Sequence, residues 1–243
     1  MNRVLDWRQI RENYLGVRDR IDRAAARAGR NPSDIRLVVV TKTHPAEVLQ
    51  AAIDAGAMDL GENYAEEAVE KMRSLAGMAQ VRWHMIGHVQ GRKANLVSEH
   101  FDYLHSLDSL KLAQRLDRLL GEANKRMPVL LQLNVSGEAS KSGFPAWDDS
   151  ALAAVLLEIG EIIRLPNLSI CGLMTIPPFY DDPEGARPFF RRLQHLRDRL
   201  AAQFPSAPWN ELSMGMSGDY EAAVEEGATW LRVGHAILGP RPV

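Results

Sequence analysis

Three groups in this sequence have residue types and positions that could do chemistry together. The first is Lys42, which an unbroken apolar run, Leu37-Val38-Val39-Val40, delivers into Thr41-Lys42-Thr43-His44-Pro45. A lysine at the mouth of a buried strand is partly desolvated. Desolvation disfavours the ammonium and leaves a free amine that can attack a carbonyl. The plain alternative is a lysine that emerges into water where its strand ends. The second group is SMGMSGDYEAAVEEG, in which Ser213, Gly215, Ser217 and Gly218 precede an amphipathic run beginning near Tyr220. Free backbone N–H groups at such an opening suit an anion. Gly234 and His235 repeat the pattern in RVGHAILG, against the simpler readings of Ser217 or Asp219 as an N-cap and Gly234 as a close-packing residue. The third is Arg232, placed inside the last apolar strand. It needs an acceptor, either a carboxylate such as Glu211 or Glu62 or a heteroaromatic ring nitrogen.

An amine for an aldehyde, glycine-rich turns for a phosphate and an arginine for a ring nitrogen together describe a site for pyridoxal 5′-phosphate (PLP). A Schiff-base aldolase without PLP would need only the lysine. His84 and His88 lie four apart in a strand-like stretch with no further ligand at metal spacing, so zinc is not expected. No nucleophile elbow, P-loop or HExxH helix is present. The single cysteine, Cys171, sits in the apolar run LSICGLM and is expected to be a small buried hydrophobe.

The elements that must position these groups follow a rhythm. After an N-terminal helical stripe (Leu5, Ile10, Tyr14, Val17, Ile21) closed by Gly29 and Asn31-Pro32, eight apolar strands alternate with helices. The strands are RLVVVT, MDLGE, VRWHMIG, FDYLHSL, PVLLQLNVS, LSICGLMTI, ELSMGMS and TWLRVG. Continuous apolar strands of this kind prefer a parallel sheet covered on both faces, and eight of them fit a TIM (β/α)8 barrel with an extra N-terminal helix. An open doubly wound sheet would carry a glycine fingerprint after its first strand, where TKTHPA stands instead. No linker-like segment divides the chain, so one domain spanning residues 1–243 is expected. In such a barrel, Lys42, the Glu62-Asn63-Tyr64 stretch, the Lys141-Ser142-Gly143 loop, Ser217, Arg232, Gly234 and His235 all fall near the rim where strands end.

Composition narrows the classes. The chain has 243 residues, 46% of them hydrophobic, and a formal net charge of -2. No basic run offers a footprint for nucleic acid or an anionic membrane. The charged N-terminus lacks the apolar core of a secretory signal, and no apolar stretch approaches the roughly 18 residues that span a bilayer. A cytoplasmic protein is expected, and a monomer, since no long exposed apolar segment demands a partner.

LVVVTKTHPAE, GENYAEE, WHMIGHVQGRK, KSGF, CGLMTIPP and LSMGMSGDYEAAVEEGATWLRVGHAILG, in that order, resemble the YggS/PROSC family of pyridoxal phosphate homeostasis proteins. The resemblance implies a fold-type-III barrel like the N-terminal domain of alanine racemase. It implies Lys42 as the Schiff-base lysine, Arg232 facing the pyridine nitrogen, Ser217 with the Gly234-His235 turn at the phosphate, and Asn63 beside the pocket. It also implies a role in holding and delivering PLP, with apo-enzymes as acceptors. Two positions depart from the family pattern: His235 stands where a threonine is common, and His44 where a second lysine is common. Lys141 matches a family lysine in the KSG loop.

Binding without turnover is the expectation, for a chemical reason. A guanidinium stays charged at ordinary pH, so a ring nitrogen facing it remains unprotonated and the ring is a weak electron sink. Racemases that resemble this arrangement add a tyrosine from a second domain, and this sequence stops at GPRPV with no such domain. The competing reading is a racemase-like enzyme completed by another chain or by a rim residue such as Tyr64.

Overall fold

A computed structural model describes residues 6–77 and 81–240. Leu5, the expected start of the first helix, lies outside the described residues, as does the 241–243 end of the expected domain. Helix α1 (Trp7–Arg27) opens on Asp6, whose carboxylate accepts the Arg8 N–H. It buries Ile10, Val17 and Ile21 of the expected stripe together with Ala24 and Ala25, while Tyr14 is half-buried.

The strands are β1 (Arg36–Val40), β2 (Asp59–Glu62), β3 (Arg82–Met85), β4 (Tyr103–Leu107), β5 (Met127–Asn134), β6 (Phe144–Pro145), β7 (Leu168–Met174), β8 (Glu211–Ser213) and β9 (Trp230–Val233). Around the sheet the order is β1-β2-β3-β4-β5-β7-β8-β9, and β9 pairs with β1, so eight parallel strands close into a TIM barrel. Closure removes every edge, and the crossover helices cover the outside. β2 and β9 are therefore buried at every position. The two-residue β6 was not expected. It pairs with the end of β5 beyond the barrel proper, where Gly143, at φ +120°, lets the chain pass Gln132 O at a distance no Cβ would tolerate.

Helices α2 (Ala46–Asp54), α3 (Ala65–Ser74), α4 (Ala94–His100), α5 (Leu110–Glu122), α6 (Asp149–Ile163), α7 (Arg187–Gln203), α8 (Tyr220–Glu225) and α9 (His235–Leu238) follow their strands. Side-chain caps start several: Ser109 accepts the Leu112 N–H, and Asp148 the Ala151 N–H. The extra helix α1 packs outside the barrel on α2, α8 and α9. Arg20 and Arg27 bind Glu221 there, and Asn13 donates to the Ile237 carbonyl. The N-terminal helix thus braces the two helices that open the rim turns. Cys171 on β7 is half-buried rather than fully buried, its thiol donating to Ser169 O at 3.3 Å. No helix among the described residues is long and apolar enough to cross a membrane.

Candidate functional site

Lys42 occupies a tight turn that begins where β1 ends. The His44 N–H donates to Thr41 O at 3.1 Å, and Thr43 takes a left-handed φ of +65°, uncommon for a β-branched residue. A buried clamp holds this strained turn. Glu67 on α3 accepts the Thr43 N–H at 2.6 Å. Lys71 on the same helix donates to Thr41 O at 2.8 Å, and to Glu62 Oε1 at 2.7 Å. Thr41 Oγ1 donates to that same Glu62 oxygen at 2.7 Å. Burial pushes the Glu62 carboxyl up, against the opposing pull of Lys71 and Thr41. The turn that presents Lys42 is therefore pinned at Thr41 and Thr43, the residues on either side.

Asn63 follows β2 directly and is fixed by contact. A Cβ on Gly87 would lie 2.5 Å from Asn63 O, so only glycine lets the loop after β3 press against it. On the side of β1 away from β2, the loop after β8 and the turn after β9 are joined. Ser217 Oγ accepts the Ala236 N–H at 3.2 Å, and Asp219 Oδ1 accepts the Met216 N–H at 2.6 Å. Gly215 takes φ +93°, and a Cβ there would meet Ala223 Cβ at 2.6 Å. Burial raises the Asp219 carboxyl, with the Met216 N–H opposing.

Arg232 points inward from β9. Its Nη1 donates to Ser213 Oγ at 2.6 Å and its Nη2 to Thr175 O at 2.9 Å. Neither carboxylate weighed for it from the sequence is its partner. Glu211 accepts from Arg36 at 2.6 Å and from Trp230 Nε1 at 2.6 Å, and Glu62 is held by Lys71. Burial lowers the Arg232 pKa to about 10, partly offset by Asp219. The guanidinium remains charged at neutral pH.

All six residues singled out from the sequence line one cavity of about 550 Å³ at the rim: Lys42, Asn63, Ser217, Arg232, Gly234 and His235. Val40, Ile86, Ile176 and Met216 supply apolar wall, and the size falls within the range of small-molecule sites. His44, 7% exposed, also lines it. Tyr64 does not. It is 56% exposed and faces a separate groove, whereas Tyr180 stands in the cavity wall. Lys141 stays off the lining and donates to Pro177 O at 3.3 Å, next to the wall residue Pro178. His84 turns into the barrel, and His88 is exposed and paired with Asp108. The sequence reading missed Lys71, Glu67 and Ser213 as the supports of Lys42 and Arg232. The Glu67–Lys71 spacing of four on α3 is the one signal it offered.

One amine, one guanidinium, a hydroxyl and two small-residue turns stand around a cavity partly walled by apolar residues at the rim of a TIM barrel. A family model described as "Alanine racemase, N-terminal domain" matches residues 12–242. Over 236 residues the chain is 42% identical to a pyridoxal phosphate homeostasis protein of Vibrio alginolyticus, covering 96% of this chain and 97% of that protein. The solved structure of PipY from Synechococcus elongatus with PLP bound is 35% identical, with a TM-score of 0.77 over 90% of this chain and all of that one. An alanine racemase of Clostridium difficile, 16% identical, shares the fold at a TM-score of 0.70 over 96% of this chain and 58% of that one. The chain belongs to the pyridoxal phosphate homeostasis proteins, within the alanine racemase N-terminal-domain family.

Proposed function

We propose that this protein binds pyridoxal 5′-phosphate in the rim cavity through Lys42 and holds it, without catalytic turnover, as part of PLP (vitamin B6) homeostasis. The observation that carries the reading is the convergence of Lys42, Asn63, Ser217, Arg232, Gly234 and His235 on one cavity from four strand ends. The donor set fits the cofactor: a primary amine for its aldehyde, a fixed cation for its ring nitrogen, and small-residue turns for its phosphate. When bound, PLP supplies an aldehyde that condenses with a primary amine and releases water. The clamped turn holds Lys42 toward that carbon, and the two joined turns at Ser217 and Gly234-His235 hold the phosphate end. Arg232 keeps its proton and so withholds one from the ring. That limits carbanion chemistry and favours storage over turnover. The same reading takes the chain as one domain over residues 1–243, a cytoplasmic monomer that passes its cargo to apo-enzymes.

One observation favours a second reading, a racemase-like enzyme. Tyr180 lines the cavity, 42% exposed and stacked on Phe189 at 6.1 Å, and could serve as a second acid/base. Titration with PLP followed by addition of an apo-PLP-enzyme tests both. The first reading expects a visible absorbance band on loading, activation of the acceptor, and loss of the band in Lys42→Ala. A protein that takes up no PLP overturns it. Alanine or serine racemisation at ~1 s⁻¹ or more, lost in Tyr180→Phe, would establish the second.

A further inference from the structure

Arg232 stands at one end of a hydrogen-bonded chain that crosses the barrel interior, away from the cavity. Beyond Arg232, Ser213 Oγ lies 2.8 Å from His105 Nδ1. His105 Nε2 lies 2.9 Å from His84 Nδ1, and His84 Nε2 lies 2.8 Å from Asp59 Oδ1. Ser213, His84 and His105 are wholly buried, and Asp59 and Arg232 nearly so. Asp59 opens β2, at the strand end remote from the rim, where Arg82 Nη2 donates to its Oδ2 at 2.8 Å. Packing locks the rings: His84 stacks on Tyr103 at 4.8 Å, and Trp230 meets His84 edge-on at 4.9 Å and His105 at 5.6 Å.

The two ends fix the direction of every bond between them. A guanidinium only donates, and an ionised carboxylate only accepts. Burial raises the Asp59 carboxyl, but the hydrogen bonds from His84 and Arg82 outweigh it and hold the group below the usual carboxylate range. His84 must therefore give Asp59 the proton on Nε2, which leaves its Nδ1 bare to accept from His105 Nε2–H. His105 Nδ1 is then bare as well and accepts the Ser213 hydroxyl proton. The lone pairs of Ser213 Oγ are left for Arg232. Every hydrogen is used with both imidazoles neutral, the form that burial favours at His84 and strongly at His105. The reverse order would set the bare Nε2 of His84 against the carboxylate, two acceptors face to face.

We propose that Asp59, His84, His105 and Ser213 are positioning residues for Arg232: a one-way donor chain whose accepting end pins the guanidinium in the plane it presents to the cavity. Ser213 and the Thr175 carbonyl take one donor from each terminal nitrogen, which sets how the rest of the guanidinium meets a ligand. The direction of the chain stands on its own geometry, and its consequence for PLP rests on the function proposed above.

The test separates the two. In ligand-free wild-type protein labelled with 15N-histidine, long-range 1H–15N spectra should show His84 and His105 protonated at Nε2 alone. Either ring carrying its proton on Nδ1, or on both nitrogens, at neutral pH overturns the chain. The Arg232 guanidinium should show slow Nη1 rotation that Ser213→Ala releases; equal restraint in that variant overturns the positioning role. In PLP titration, Ser213→Ala should bind about tenfold more weakly, as loss of one charge-assisted hydrogen bond predicts. Ser213→Thr keeps the hydroxyl and should bind close to wild type. A folded Ser213→Ala protein that binds PLP as the wild type does overturns the proposal. If the wild type takes up no PLP, the proposed function fails while the NMR results still judge the chain. Should Ser213→Ala not fold, Asp59→Asn serves, because losing the obligate acceptor should mix the histidine tautomers. A single unchanged tautomer there overturns the proposal.

Discussion

Replacing Lys71 by methionine should unfold the logic of the Lys42 turn. Lys71 is buried, and its Nζ reaches Glu62 at 2.7 Å, Glu67 at 2.6 Å and Thr41 O at 2.8 Å. Methionine fills the space and removes all three contacts. Glu62 is fully inaccessible, and the Thr41 hydroxyl would still donate to it but carries no charge. Breaking a buried pair by removing one partner costs about 3–5 kcal/mol, because the other charge stays desolvated. The pH dependence follows from Glu62. Its carboxyl is already raised by burial, and without Lys71 it rises further. A carboxyl raised in the folded state binds more protons folded than unfolded, so stability falls as pH rises through its folded pKa and recovers on acidification. Urea unfolding should show the full deficit at pH 8 and a smaller one at pH 5. PLP uptake should fall with it, since the Thr41 carbonyl loses its anchor. The double variant Glu62→Gln, Lys71→Met should regain much of the loss. A single variant within about 1 kcal/mol of wild type, the range of a surface pair, would refute the clamp. A deficit that grows on acidification would refute it too.

Three further outcomes follow from the same structure. Gly87→Ala sets a Cβ 2.5 Å from Asn63 O and should cost about 1–3 kcal/mol in chemical denaturation, with weaker PLP binding as Asn63 is displaced. His88→Ala removes an exposed imidazole that pairs with Asp108 outside the cavity, so its stability should change by about 1 kcal/mol at most and its PLP titration should match wild type. Arg187 binds Glu184, Glu225 and Glu226. At Glu225 and Glu226, burial raises the carboxyls but the arginine hydrogen bonds outweigh it and depress them. Depressed carboxyls add stability above their unfolded pKa that is lost as pH falls through the folded one. Thermal melts of Arg187→Gln should therefore show a lower midpoint at neutral pH and a shallower decline in acid.

The barrel was legible because each strand is an apolar run long enough to span the sheet and each helix has its own stripe and stop. The rim residues were legible because strand ends are where this fold gathers polar groups. What lay beneath them was not. Both faces of a parallel strand are buried, so nothing in VRWHMIG or FDYLHSL says which histidine turns inward. His84 and His105 consequently gave no sign of reaching Asp59 and Ser213. Lys71 reads as half of a solvated Glu67–Lys71 pair, and only the tertiary approach of α3 to Thr41 buries it. Arg232 needed an acceptor, but a neutral hydroxyl and a carbonyl leave no charge pattern to find, and the two carboxylates weighed for it serve other partners. Tyr64 was the tyrosine the sequence offered; the loop after β7 carries Tyr180 to the cavity instead, while Tyr64 precedes α3 and lines a separate groove.

Borohydride reduction of the PLP-loaded protein, followed by peptide mapping, bears most directly on the central claim that Lys42 is the residue that holds the cofactor. The expected result is one phosphopyridoxyl adduct on the peptide containing Lys42, absent in Lys42→Ala. An adduct mapped to Lys141 or another lysine with Lys42 unmodified, or undiminished labelling in Lys42→Ala, would contradict it.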